Sequence, residues 1–294
     1  MMPDKLFQPL AIGPREVSNR IIFGSHTTNF ARHNLLSEQH ADYYEARAAG
    51  GAGIIVLEEH IVHSSDMPYE YALAGYLPGT PTAIARVAER IHAHGALAIA
   101  QLNHNGQQSV SDHSQREILA PSAIADVSTR EVPKAMEPGD ISAVIEGFAL
   151  VTRHAVQGNA DGIELQISDR SLLRQFLSPL TNQRGDQYGG SLDNRLRFPL
   201  EVFRAMREVW PARKPMSVRI SATDWVEGGV GAEDSVLIAR ALREAGVDLV
   251  DVSAGQTSIL AQPVYGRMFQ TPFADRIRNE VGVPTMAVGN ITEP

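Results

Sequence analysis

The chain has 294 residues, 43% hydrophobic and 20% charged, the usage of an ordinary globular protein with ample material for one large core. Lys and Arg number 26 against 34 Asp and Glu, a net charge of −8 with no basic stripe, which argues against nucleic acid or an anionic membrane as partner. The absence of cysteine excludes disulfides, thiolate catalysis and a cysteine-ligated iron–sulfur cluster within this span. No apolar run reads as a membrane span or a secretory signal, so a cytoplasmic location is expected.

The first predicted strand covers residues 20–23, and the polar Ser25, His26 and Thr27 follow it. One pattern then repeats: an amphipathic helix ends in Gly, a few residues pass, and a short apolar strand begins. Gly50-Gly51 leads to residues 53–57, Gly95 to 97–101, Gly158 to 162–166, Gly246 to 249–253 and Gly282 to 284–288, with a further strand at 216–220. Gly after a helix supplies a left-handed C-cap. A short continuous apolar strand suits a buried parallel sheet. In the helix over 83–94, Ile84, Val87, Ala88 and Ile91 recur at i, i+3, i+4 and i+7. Ile141, Val144, Ile145, Phe148 and Val151 form a comparable stripe. Thr271-Pro272 reads as an N-cap with Pro in the first turn.

Alternating strands and helices imply a parallel sheet with right-handed crossovers. The expected fold is α/β, a (β/α)8 TIM barrel forming one domain over residues 1–294 with no internal linker. Seven strands are countable, and the chain stops just after the seventh. The barrel is therefore expected to be truncated before its eighth strand. A doubly wound open sheet is the rival, but no G-x-G-x-x-G loop follows the first strand.

In such a barrel the chemistry sits where strands end. Candidates there are Ser25 and Thr27, then Glu58 and Glu59, Gln101, the run Gln166 to Arg170, Arg219, Ser253, and Gly289 with Asn290. Arg219 lies in an otherwise apolar strand, so it is either a functional cation or half of a structural ion pair. Gln101 carries donors and an acceptor; it either reads a ligand edge or ties down a loop. A turn at Gly289 lets backbone N–H groups approach an anion. His60 and His63 lie beside Glu58 and Glu59, but their spacing is not helical and no second ligand set stands out, so no metal is expected. His26 and His104 read as hydrogen-bonded residues, Trp225 and Tyr188 as packing. No Ser-His-Asp or P-loop signature is present.

Several runs carry a resemblance. They are Val17-Ser18-Asn19-Arg20-Ile21-Ile22-Phe23-Gly24-Ser25, Gln101-Leu102-Asn103-His104-Asn105-Gly106, Ser217-Val218-Arg219-Ile220-Ser221 and Ala287-Val288-Gly289-Asn290-Ile291. The most specific is Phe176-Leu177-Ser178-Pro179-Leu180-Thr181-Asn182-Gln183-Arg184-Gly185-Asp186-Gln187-Tyr188-Gly189-Gly190-Ser191-Leu192-Asp193-Asn194-Arg195. Over essentially its whole length the chain resembles the Old Yellow Enzyme family, particularly its 2,4-dienoyl-CoA reductase-like branch. The resemblance implies FMN at the barrel mouth, NADH or NADPH as reductant, and a small unsaturated carbonyl, thioester or amine as substrate. It would set Ser25 and Thr27 against the flavin, with Thr27 near N5 and O4. Glu59 stands at a usually small, flavin-contacting position. Gln101 would meet the pyrimidine edge, Arg219 would lie near N1 and O2, and Gly289 with Asn290 would lie by the phosphate.

The departures fall mostly after the fourth strand. Where many relatives have a pattern like H-x-A-H-G-Y, this chain has Gln166-Ile167-Ser168-Asp169-Arg170-Ser171. Gln166, Asp169 and Arg170 are the expected catalytic residues, and Ser171 replaces the Tyr. Alternatively Asp169 and Arg170 pair with each other, or with nearby loops, and only shape the segment. Gln107 replaces the usual Arg after the third strand. Two other functions stay open: a flavin-binding relative with weak or no alkene reductase activity, and a metal-dependent lyase or hydrolase on the same fold. A homo-oligomer is compatible with the sequence.

Overall fold

The structure, a computed structural model, describes residues 5–126, 128–255 and 257–293. Seven parallel strands lie side by side in chain order: β1 (Ile22–Phe23), β2 (Ile54–Ile61), β3 (Leu97–Asn103), β4 (Gly162–Ile167), β5 (Met216–Ser221), β6 (Leu249–Ser253) and β7 (Thr285–Ala287). A two-residue strand, Leu73–Ala74, pairs with the end of β2. The long connecting helices are α1 (Glu38–Ala49), α2 (Thr80–His92), α3 (Pro138–Gln157), α4 (Leu192–Val209), α5 (Ala232–Glu244) and α6 (Thr271–Val281). Sequential strand order is that of a singly wound barrel and removes the doubly wound rival. The sheet curls so that Ile22 of β1, Ile99 of β3, Ser217 of β5 and Met286 of β7 line a common cavity. Among the described residues β1 and β7 do not pair with each other, so the observed architecture is a curled seven-strand half-barrel, short of the closed eight-strand ring.

The apolar stripes do what their spacing predicts. Ile84, Val87 and Ile91 of α2 and Val144, Phe148 and Val151 of α3 are fully buried against the sheet. Left-handed glycines follow four of the helices, at Gly51 (φ 96°), Gly95 (φ 74°), Gly246 (φ 98°) and Gly282 (φ 73°). Gly158 is different: its φ is −77°, and Asn159 takes the left-handed turn instead. A Cβ on Gly158 would lie 2.6 Å from Ile84 Cβ, so glycine stands there for the α2–α3 contact. The cap expected at Thr271 is also displaced. Thr271 is the first helical residue, and Gln270 occupies the N-cap without a side-chain bond.

A hairpin of Leu10–Ile12 and Arg15–Val17 closes the N-terminal end of the barrel. Its Ile12 and Val17 pack with Ile54, Val56, Ile99 and Leu249. Arg15 Nη2 donates to Asp161 Oδ1 at 2.9 Å and ties the hairpin to the loop before β4. With this floor in place, the opposite end is the open one. Strand register aligns Gln101 with Glu164, Gln166 with Arg219, Arg219 with Asp251, and Ser221 with Ser253. Partners in register share a face of the sheet, so a polar layer spans β3 to β6 beneath the mouth.

Candidate active site at the strand ends

Arg219 is the centre of that layer. Its Nη2 lies 3.6 Å from Asp169 Oδ2 and its Nε 3.5 Å from Asp251 Oδ2. Both are ion-pair distances, and Nε has no hydrogen-bond partner. Glu164 lies buried beside them and accepts from Gln101 Nε2 at 2.9 Å and Ser217 Oγ at 3.1 Å. Three carboxyl groups therefore surround one guanidinium. Burial disfavours the charge of Asp251 and Glu164 more than Arg219 favours it. Asp251 is pushed up to about 8, and Glu164 is raised as well. The cluster holds protons near neutral pH.

Gln101 joins this layer to the first loop. Its Oε1 accepts from Ser25 Oγ at 2.9 Å, and its Nε2 lies 3.5 Å from Gln166 Oε1. Gln166 Oε1 also accepts from Ser168 Oγ at 3.1 Å. Asp169 adopts a left-handed φ of 49°, uncommon for a residue with a Cβ. Its N–H donates to Ser221 Oγ at 3.0 Å, and its carboxylate accepts from Ser168 at 3.1 Å and Ser253 at 3.4 Å. Asp169 is thus paired with Arg219, not with Arg170. Arg170 is exposed. Ser171 is fully buried, and its Oγ accepts from the Arg174 N–H at 3.0 Å, capping the short helix Leu172–Leu177. A hydroxyl so placed serves the backbone and not a ligand.

The wall opposite is shaped by a bulge in β2. Its pairing with β3 shifts between Leu57 and His60, so Glu58 and Glu59 both fall in the irregularity. A bulge re-aims the side chains it carries. Buried Glu58 reaches Thr28 through N–H at 3.0 Å and Oγ1 at 2.5 Å, and His40 Nε2 at 3.3 Å. Burial opposes its charge, but His40 and Thr28 outweigh this and hold it below the usual carboxylate range. Half-buried Glu59 accepts from Asn103 Nδ2 at 2.6 Å and Asn105 Nδ2 at 3.4 Å. Burial pushes it up. Tyr69 stands between the two carboxyls, 3.2 Å from Glu58 and 3.3 Å from Glu59, with exposed Thr27 beside the same hydroxyl. His60 and His104 are buried, and burial takes them down to about 4 and about 3, so both are neutral. Among the described residues no group of three potential ligands is arranged for a metal.

Beyond β6 and β7 a cleft of about 410 Å³ brings Asp169, Arg219, Trp225, Ser253 and Gly289 together. Gly289 has φ 94°, and a Cβ there would lie 2.8 Å from Phe269. Neighbouring Asn290 (φ 50°) is exposed, and its carbonyl accepts from Met268 N–H at 3.0 Å. Thr27, Glu59, Arg170 and Asn290 do not line this cleft. Sequence reasoning overlooked Glu164, Asp251 and Tyr69 as site residues. The first two had a signal: each is a charge in an apolar strand, two positions before a polar strand-end residue. Tyr69 had none.

The run 176–195 is scaffolding. Asn182 Nδ2 donates to the Phe176 and Tyr188 carbonyls, Arg184 to those of Pro121 and Met136, and Arg195 to that of Gly190.

The chain is 36% identical over 293 residues to an NADPH dehydrogenase of Halalkalibacterium halodurans, covering 99% of this chain and 85% of the relative. It is 34% identical over 290 residues to an NADPH dehydrogenase of Listeria monocytogenes, covering 98% and 84%. Among solved structures it is similar to 2-naphthoyl-CoA reductase, with a TM-score of 0.90 at 26% identity over 96% of this chain. It spans 46% of that longer protein. Morphinone reductase superposes with a TM-score of 0.82 at 25% identity, over 98% of this chain and 80% of that one. The family model described as NADH:flavin oxidoreductase / NADH oxidase matches residues 5–294. The chain belongs to this family and is an FMN-dependent oxidoreductase that takes its electrons from NADH or NADPH.

Proposed function

We propose that FMN lies across the barrel mouth, from the Ser25–Thr27 loop to the Gly289 turn, and that an activated alkene is the hydride acceptor. Two features fit the cofactor. Arg219 Nε is a buried donor with no hydrogen bond, open to a ring acceptor. The backbone at Gly289 approaches a cleft that a Cβ would obstruct. Ser25, Thr27, Gln101 and Arg219 would hold the ring system, and Gly289 with Asn290 the phosphate. Bound FMN supplies hydride transfer, taking it from the nicotinamide and giving it to an electron-poor carbon. Arg219 keeps positive charge beside the pyrimidine edge. Gln166 offers a neutral amide donor to the acceptor's carbonyl. Asp169 is a hydrogen-bond acceptor only, unless protonated. Arg170 leaves a free guanidinium at the rim, fit for a substrate carboxylate or phosphate.

The observation that carries this reading is Arg219, held between Asp251 and Asp169 at the mouth with a donor to spare. We read residues 1–294 as one flavin-binding unit in the cytoplasm, acting on a small molecule, and compatible with a homo-oligomer. The test is stopped-flow mixing of FMN-reconstituted protein with NADPH or NADH under argon. Bleaching of the flavin, and its return on adding an enone, are expected. A flavin that neither nicotinamide bleaches would overturn the reading.

A further inference from the structure

The wall made by the β2 bulge holds a proton that hydride transfer itself does not use. Tyr69 has one hydroxyl proton and faces two carboxyl groups, Glu58 at 3.2 Å and Glu59 at 3.3 Å. Glu58 is the ionised member, bonded by Thr28 and faced by His40. The Tyr69 proton therefore goes to Glu58. That leaves the phenol oxygen with two lone pairs. Thr27 stands beside one. The other faces Glu59, and two lone pairs in contact repel unless Glu59 brings a proton of its own. Its remaining contacts, Asn103 and Asn105, are neutral amides. The charged neighbours do nothing to ionise it. Glu58 lies behind Tyr69. Asp66 shares Asn105 with Glu59, and His104 stands behind Asp66 at 3.8 Å, buried and neutral. Among the described residues Glu59 forms no ion pair; its contacts are Tyr69, Asn103 and Asn105.

Asn103 and Asn105 are 1% and 3% exposed, whereas Glu59 is only partly buried. In the loop after β4, Ser171, which stands where the resembling pattern has Tyr, is a buried helix cap.

We propose that Glu59, held as the neutral carboxylic acid by Tyr69, Asn103 and Asn105, is the proton donor that completes reduction of the substrate. This rests on the alkene-reductase reading above. Hydride adds to one alkene carbon, and the electron pair of the double bond moves onto the carbon beside the carbonyl. There a C–H bond forms as the Glu59 O–H bond breaks. The carboxylate left behind takes a proton from water entering at the mouth. The sum is one nicotinamide oxidised, one alkene reduced and one solvent proton consumed.

The test uses the FMN-reconstituted full chain and its Glu59→Gln variant, with 2-cyclohexenone as probe. Infrared difference spectra at neutral pH should show a protonated-carboxyl stretch in the parent that the variant lacks. In stopped flow, reoxidation by the enone should slow about 100-fold in the variant relative to its own reduction step, the scale of a lost general acid. The parent's reoxidation should fall as pH rises through the carboxyl's ionisation, and the variant's should not. An unchanged ratio of the two half-reactions, or a surviving infrared band, overturns the proposal. If the variant fails to hold FMN, the parent decides alone: a reoxidation rate that does not change with pH over the whole range in which the protein stays folded rejects Glu59. If no nicotinamide reduces the parent, the oxidoreductase reading fails separately, and reduction by dithionite still tests the proton donor.

Discussion

Asp251→Asn should make the protein more stable at neutral pH, and more so as pH rises. Asp251 is 1% exposed, and burial lifts it from 3.8 to about 8. A carboxyl whose folded value is raised contributes its full stability below the unfolded value and loses it as pH climbs through the folded one. The window is therefore about pH 4 to 8. Every tenfold change in proton affinity is worth about 1.4 kcal/mol, so the rise from 3.8 to about 8 amounts to roughly 6 kcal/mol over the whole window. Glu164 is raised in the same cluster and is acted on by the same Arg219, so we assign Asp251 about half, near 2–3 kcal/mol. Asn has nearly the same shape and does not titrate. Urea denaturation of parent and variant should be followed at several pH values across that window. Their midpoints should separate by about 1 M at the alkaline end and converge at the acid end. Parallel curves, or a variant that loses ground as pH rises, would refute the account of a proton-holding layer.

Arg219→Met should lower the flavin potential by about 30 mV, the equivalent of about 1.4 kcal/mol for two electrons. This lower-end figure reflects the partial neutralisation of Arg219 by Asp169 and Asp251; an unchanged potential in a redox titration would reject its placement. Gly289→Ala should weaken FMN binding at least about 10-fold, because the new Cβ meets Phe269 at 2.8 Å and φ is 94°. A fluorescence titration with the parent's dissociation constant would contradict that. The triple change Gln166→His, Asp169→His, Ser171→Tyr should raise cyclohexenone turnover about 100-fold by restoring oxyanion donors. It should also lose about 1 kcal/mol of stability with the Ser171 cap. No gain in turnover would mean the loop has another role.

Much of the barrel is visible in the sequence because helix stripes and buried strands have distinct periods. Ile84, Val87 and Ile91 lie where a helix must bury them, and residues 162–166 suit a buried parallel strand. The floor hairpin is not visible, since Leu10–Ile12 and Arg15–Val17 are three residues each, too short for any period to register. Gly158 shows the same limit at one residue. Its type marks the helix end, but the contact that demands it, Ile84, is distant in sequence. At the site, the charged Arg219 in an apolar strand is conspicuous. What it pairs with depends on parallel register, which no single strand encodes. The β2 bulge is likewise a relation between two strands. Without it Glu58 and Glu59 would alternate across the sheet, and the shared Tyr69 could not be anticipated.

The N-terminal hairpin has a consequence for kinetics. With Ile12 and Val17 packed across one end, the mouth at the other end is the direct route between the Arg219 layer and bulk water. Anything lying across the mouth is then a stopper. While it stays, the protons on Glu164 and Asp251 are held back from bulk water, and a pH jump should reach them more slowly than it does once the stopper leaves.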